Sequence, residues 1–167
     1  MTRYLRAATA LGAISLFGLG VTAAPASAAG FGPIKHSVTG KCIDVKGGST
    51  QVHALILQWG CHGGSNQAWL KVPVSGGFQL LNQNSGLCLD INSNTAQVPN
   101  GTGLQLFGCD IAAVWQLKDP FGNAGQLQHV ASGKCIDLDS GSAADGARIQ
   151  MWDCFTNNTN QIWTMPA

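Results

Sequence analysis

The apolar residues of this 167-residue chain come in short runs that alternate with polar ones. Phe78-Gln79-Leu80-Leu81, Leu87-Cys88-Leu89-Asp90-Ile91, Gly103-Leu104-Gln105-Leu106-Phe107 and Trp115-Gln116-Leu117 follow a period of two, bounded by Gly, Asn, Ser or Pro. That period sends successive side chains to opposite faces, which is the pattern of β-strands and not of helices. It predicts an all-β protein of about twelve short strands, with few helices.

The first segment breaks the pattern. Arg3 and Arg6 precede an apolar stretch from Ala7 to Val21, and small residues follow, ending in Ala26-Ser27-Ala28. This reads as a secretory signal peptide over residues 1–28, because its apolar run of about 15 residues is shorter than the roughly 20 a membrane-spanning helix needs. A secreted, extracellular protein of one domain, residues 29–167, is expected.

Six cysteines punctuate that domain in pairs: 42 and 61, 88 and 109, 135 and 154, separated by 19, 21 and 19 residues. The first members recur after 46 and 47 residues, a period that marks an internal repeat. Three blocks recur with them. Gly-Lys-Cys-Ile-Asp-Val (40–45) returns as 86–91 and 133–138. An aromatic residue, Trp59, Phe107 or Trp152, stands two places before each second cysteine. Asn66-Gln67-Ala68-Trp69 returns as Asn160-Gln161-Ile162-Trp163, and degenerately as Ala112-Ala113-Val114-Trp115. The repeats run over about 29–76, 77–123 and 124–167. Between a closing Trp and the next Cys lie 18 and 19 residues, and the 13 before Cys42 with the 4 after Trp163 make a third spacer of similar size. A circular arrangement in which the termini meet explains this. A propeller needs four or more blades and an open stack needs caps, so a closed threefold β-barrel remains.

Composition narrows the chemistry. Nine Lys and Arg face eight acids, only 10% of residues are charged, and nothing favours nucleic acid or another polyanion. All eight acids are aspartate, so no glutamate-based catalytic pair exists. An even cysteine count in an exported chain reads as a disulfide framework with fifteen possible pairings. The spacing contains no CxxC motif, so zinc is not expected, and no motif asks for calcium. His36, His53, His62 and His129 show no equivalent recurrence and read as surface or loop residues. Two glycosylation sequons, at Asn100 and Asn157, are patterns too short to carry weight.

Cys-hydrophobic-Asp, Gln-x-aromatic-x-Cys and Gln-x-Trp, in that order and three times over, resemble the ricin B-type lectin domain, a β-trefoil also classed as the family 13 carbohydrate-binding module. The resemblance spans the whole of residues 29–167. It implies a pseudo-threefold barrel with one disulfide inside each repeat: Cys42–Cys61, Cys88–Cys109 and Cys135–Cys154. It also implies shallow pockets for galactose-type sugars or xylan, no catalysis and no cofactor. Carbohydrate is the partner this implies, with a separately encoded enzyme as a further candidate, and no nucleic acid or membrane span.

A sugar ring offers an apolar face and a rim of hydroxyls, so a pocket needs a flat aromatic plus fixed acceptors and donors. The third repeat fills every family position: Asp137 as acceptor, Trp152 as platform, Asn160 as donor, Gln150 and Gln161 in support. The first carries Asp44, Trp59, Asn66 and Gln67, but Leu57 stands where the family has glutamine. Gln58 is shifted by one and so faces the other side of its strand. In the second, Asp90, Gln105 and Phe107 remain while Ala112 and Ala113 replace the Asn-Gln pair, which leaves that site dead or very weak. Structural readings compete: the aspartates as turn formers, the platform aromatics as core, and Gln67 and Gln161 as partners of buried backbone. Trp69, Trp115 and Trp163 read as core, since Trp115 persists where the polar pair is gone. Two other functions stay open. A glycoside hydrolase needs paired carboxylates, which aspartates one repeat apart do not supply. A β-trefoil that binds protein through its loops, as an inhibitor or adhesion partner, is the alternative to a lectin.

Overall fold

The computed structural model describes residues 30–93 and 97–166. The expected signal peptide, residues 1–28, lies outside them. Among the described residues, thirteen strands form one connected sheet. The first repeat holds β1 (Gly32–Pro33), β2 (Lys35–His36), β3 (Cys42–Val45), β4 (Ile56–Trp59) and β5 (Ala68–Val74). The second holds β6 (Gly77–Asn82), β7 (Cys88–Ile91), β8 (Thr102–Phe107) and β9 (Trp115–Phe121). The third holds β10 (Ala124–His129), β11 (Cys135–Leu138), β12 (Ala147–Trp152) and β13 (Ile162–Thr164). Short 3₁₀ turns are the helical elements among the described residues.

Thirteen strands replace the expected twelve because of how the barrel closes. The opening strand of a repeat pairs with the last strand of its own repeat and with the last strand of the one before: β6 with β9 and β5, β10 with β13 and β9. In the first repeat this strand divides at Ile34. β1 pairs with β5 (Gly32↔Trp69), and β2 pairs with β13 (Trp163↔His36, Thr164↔Lys35). That last pairing joins the first and third repeats and completes the ring. The inner hairpins β3–β4, β7–β8 and β11–β12 then meet one another through β12–β4, β12–β8 and a Leu55↔Gln105 bridge.

The alternating pattern places one residue type at each core level. Ile34, Leu80 and Leu127 are fully buried, as are Ile43, Leu89 and Ile136. Trp69, Trp115 and Trp163 are also fully buried, and each indole N–H donates to the carbonyl just before a repeated aspartate: Ile43 O at 3.1 Å, Leu89 O at 3.4 Å and Ile136 O at 3.0 Å. These tryptophans tie the last strand of each repeat to the hairpin that carries its aspartate. The three disulfides join Cys42–Cys61, Cys88–Cys109 and Cys135–Cys154, one within each repeat.

One sequence expectation fails here. His36 and His129 do recur, each six residues before the first cysteine of its repeat, with Asn82 at the same place in the second. All three cap the same turn: His36 Nδ1, Asn82 Oδ1 and His129 Nδ1 accept from the amides of Thr39, Ser85 and Ser132 at 3.2, 3.2 and 3.3 Å. Gly40, Gly86 and Gly133 follow with φ of 67°, 69° and 70°, a region open to glycine. Both imidazoles lie beside tryptophans, His36 on Trp163 and His129 on Trp115. Burial holds the proton affinity of both below the ordinary histidine value, against hydrogen bonds to His36 and the charge of Asp90 near His129. They are structural residues, and their recurrence was hidden because asparagine performs the same capping in the second repeat.

Candidate functional site

Strand register decides which side chains share a face. In the first repeat Asp44 lies opposite Leu57 and Cys42 opposite Trp59, so Asp44, Leu57 and Trp59 point the same way. Gln58 points to the other face, is fully buried, accepts from Thr39 Oγ1 at 2.7 Å and donates to Ser142 O at 2.9 Å. It joins the first repeat to the third and is lost to any pocket, as the shift in sequence implied.

Asp44 lies at the floor of a cleft of about 610 Å³, walled by Leu57, Trp59, His62, Asn66 and Gly146. Trp59 is 44% exposed, a flat apolar surface open to solvent. One Asp44 oxygen, Oδ2, accepts from Asn66 Nδ2 at 2.9 Å and from Gln67 Nε2 at 2.7 Å. Gln67 is itself buried, with Nε2 also donating to Gly60 O and Oε1 accepting from the His62 amide. Gln67 therefore braces the aspartate from behind and does not reach the cleft. His62 was read from the sequence as a loop residue. Its Nδ1 accepts from the Gly64 amide at 3.1 Å, which leaves Nε2 3.4 Å from Asp44 Oδ2 at the cleft wall.

In the third repeat Asp137 opposes Gln150 and Cys135 opposes Trp152, so the same face carries Asp137, Gln150 and the partly exposed Trp152. Three donors converge on Asp137: Gln161 Nε2 at 3.1 Å, Gln150 Nε2 at 3.4 Å and Asn158 Nδ2 at 3.4 Å. Gln161 is fully buried and plays the part of Gln67, giving Nε2 to Asp153 O and accepting from the Phe155 amide. Asn160 differs from its first-repeat counterpart in its bonds within the protein. Its counterpart Asn66 donates to Asp44, whereas in the third repeat Asn158 supplies that bond and Asn160 gives its backbone N–H to Asn158 Oδ1 at 3.1 Å. The segment from Cys154 to Trp163 is one residue longer than that from Cys61 to Trp69, and this extra length brings Asn158 inward. Burial raises the proton affinity of Asp137 above the ordinary aspartate value, opposed by the donors from Gln150 and Gln161.

The second repeat keeps the frame and loses the pocket's donors. Asp90 faces Gln105, and Phe107 faces Cys88. Gln105 Nε2 donates to Asp90 Oδ2 at 3.2 Å, and the backbone amide of Ala113 takes the other oxygen at 2.9 Å. Here the aspartate anchors the loop that in the other repeats carries side-chain donors. The cavity there, about 740 Å³, is lined by Asp90, Gln105 and Phe107 with Val98, Ile111 and Val114.

The first face thus presents an exposed aromatic beside a carboxylate held by amide side chains, and the other two set a partly exposed aromatic, Phe107 or Trp152, beside theirs. The match to known proteins agrees with that geometry. The model of the ricin-type beta-trefoil lectin domain family matches residues 30–163. Among solved structures, the chain resembles ThreeFoil, a designed threefold-symmetric protein, at 26% identity and a TM-score of 0.74, over 82% of this chain and 98% of that one. It resembles 1,3Gal43A, an exo-beta-1,3-galactanase from Clostridium thermocellum, at 28% identity and a TM-score of 0.74, over 82% of this chain and 30% of that one. It shares the fold of a ricin B-like lectin from Macrolepiota procera, solved with lactose, at 22% identity and a TM-score of 0.69, over 83% and 95% of the two chains. With three repeats that each hold one disulfide, a closed barrel and a family match over most of its length, this chain belongs to the ricin-type beta-trefoil lectin domain family.

Proposed function

We propose that this protein is an exported, non-catalytic lectin that binds galactose-type sugars or xylan-like polysaccharide through two working pockets, in the first and third repeats. The observation that carries the reading is the first-repeat cleft, where an exposed indole faces a carboxylate already oriented by Asn66 and Gln67. A hexose or pentose ring laid on Trp59 brings its hydroxyl rim to Asp44 and Asn66. The carboxylate accepts from the hydroxyls in charge-assisted bonds, roughly twice as strong as neutral ones. Residue identity favours the third repeat, where every family position is filled, while shape favours the first, where the cleft is open. Both support binding, and the second repeat does not.

Recognition without chemistry fits the carboxylate inventory. The first cleft is walled by one acid, Asp44, and glycoside hydrolysis needs a pair flanking the scissile bond. Three disulfides support an oxidising destination, as expected of an exported chain. Calorimetry with galactose, lactose and xylo-oligosaccharides tests the reading. Wild type is expected to hold two sugars weakly, Asp44→Ala and Asp137→Ala one each, and the double variant none. If folded wild type binds none of these sugars, the reading fails and a protein partner for the loops takes its place.

A further inference from the structure

Each repeat lends one backbone N–H to the next. His53 donates to Leu106 O at 2.9 Å, Gly101 to Met151 O at 2.9 Å and Gly146 to Gln58 O at 2.8 Å. The accepting residues directly precede Phe107, Trp152 and Trp59, so the three donors are counterparts at the edges of the three platform aromatics. All three adopt left-handed backbone, with φ of 67°, 87° and 81°. Glycine suits that region, and a histidine held there is unusual.

The imidazole has a specific position. Its centroid is 5.2 Å from that of Phe107, and its Nδ1 is 2.8 Å from Gln105 Oε1. Gln105 spends its amide nitrogen on Asp90 and on Ile91 O, so its oxygen is the acceptor and His53 donates through Nδ1–H. His53, Gln105 and Asp90 therefore form one closed hydrogen-bonded chain. In the other two repeats the counterpart is open. A Cβ on Gly146 would stand 3.7 Å from the Trp59 ring, and Gly146 itself lines the first cleft. A Cβ on Gly101 would stand 3.9 Å from Gln150 Oε1. Where Gly146 leaves room beside a ring and Gly101 beside a glutamine, His53 fills the equivalent space. The cavity at Asp90 is lined by Gln105 and Phe107 together with Ile111, Val114 and Val130, so what His53 takes is the counterpart of the edge that Gly146 leaves open in the first cleft.

We propose that His53, delivered by the first repeat, closes the second repeat to carbohydrate by capping the edge of Phe107 and the acceptor oxygen of Gln105. It does so separately from the loss of the Asn-Gln pair at Ala112 and Ala113. His53 is then a specificity-determining residue that sets how many sugars one molecule holds. The inference rests on the reading of the repeat pockets as sugar sites.

The test transplants the histidine. In an Asp137→Ala background, which leaves the first cleft working, Gly146→His is expected to weaken lactose or xylotriose affinity by at least about ten-fold. In an Asp44→Ala background, Gly101→His is expected to do the same to the third repeat. Near-ultraviolet circular dichroism and intact disulfides establish that each variant is folded, and if one is not, the other decides. Folded transplants that keep affinity within about two-fold overturn the inference. Failure of both to fold overturns it too, because the positions would then not be equivalent to His53. The parent variants report separately: if neither they nor wild type bind sugar, the lectin reading itself fails.

Discussion

Asp44 and Asp137 occupy the same place in two repeats, yet their surroundings give them different chemistry. Asp44 has two amide donors and a histidine at its side, whereas Asp137 is gripped by Gln150, Asn158 and Gln161, and burial raises its proton affinity. The folded state then keeps a proton at Asp137 at pH values where the unfolded chain has released it. That group's contribution to stability falls as pH rises through the window just above 3.8, the ordinary value, and recovers on acidification. Sugar binding runs the opposite way, since the acceptor must be charged. In an Asp44→Ala variant, lactose affinity is expected to begin falling on acidification already above pH 3.8. A calorimetric series whose fall is centred at or below pH 3.8 contradicts this account of Asp137. The sequence names this aspartate as a candidate, but its donor set is not legible there: Asn158 enters because the preceding loop is one residue longer than in the first repeat.

At the scale of elements, the inner hairpins carry the sites and the disulfides staple them. Each bridge closes a loop of about 20 residues between the first strand of a hairpin and the segment beyond its second, for a stabilisation of about 3 kcal/mol. The bridge of the second repeat has no proposed sugar site to hold. Replacing Cys88 and Cys109 by alanine is therefore expected to lower unfolding free energy by about 3 kcal/mol in urea titration while leaving two sugars bound. Loss of stoichiometry in that folded variant indicates that the repeats are coupled more tightly than their pairings suggest. Strand positions followed from period-two alternation and from the turn residues between them. The division of the first strand into β1 and β2 did not, because it arises from pairing with both ends of the ring and has no signal within Gly32–His36.

The whole molecule arranges its pockets around one barrel, facing outward from different repeats. A single shallow pocket holds a monosaccharide weakly, and two pockets meeting one polymer raise retention through effective concentration. Retention on an immobilised polysaccharide is expected to fall by at least about ten-fold in either Asp44→Ala or Asp137→Ala, although each halves only the count of bound monosaccharides. Equal two-fold losses in both assays mean that the sites act singly. His53 belongs to this scale as well, since a loop of one repeat decides the state of the pocket in the next.

The sequence by itself determined the three repeats, the all-β alternation, the recurring positions of the six cysteines, the tryptophan core and the aspartate-aromatic faces. Each of these is written in local spacing that recurs three times, and strand geometry turns such spacing directly into facing. The tertiary structure alone decided which donors reach each aspartate, that Gln67 and Gln161 stand behind their carboxylates, that Asn158 bonds Asp137 as Asn66 bonds Asp44, and that His53 lies against Phe107. Those contacts join residues from different loops and different repeats. Loop length and inter-repeat packing set them, and neither is carried by the spacing inside a single repeat.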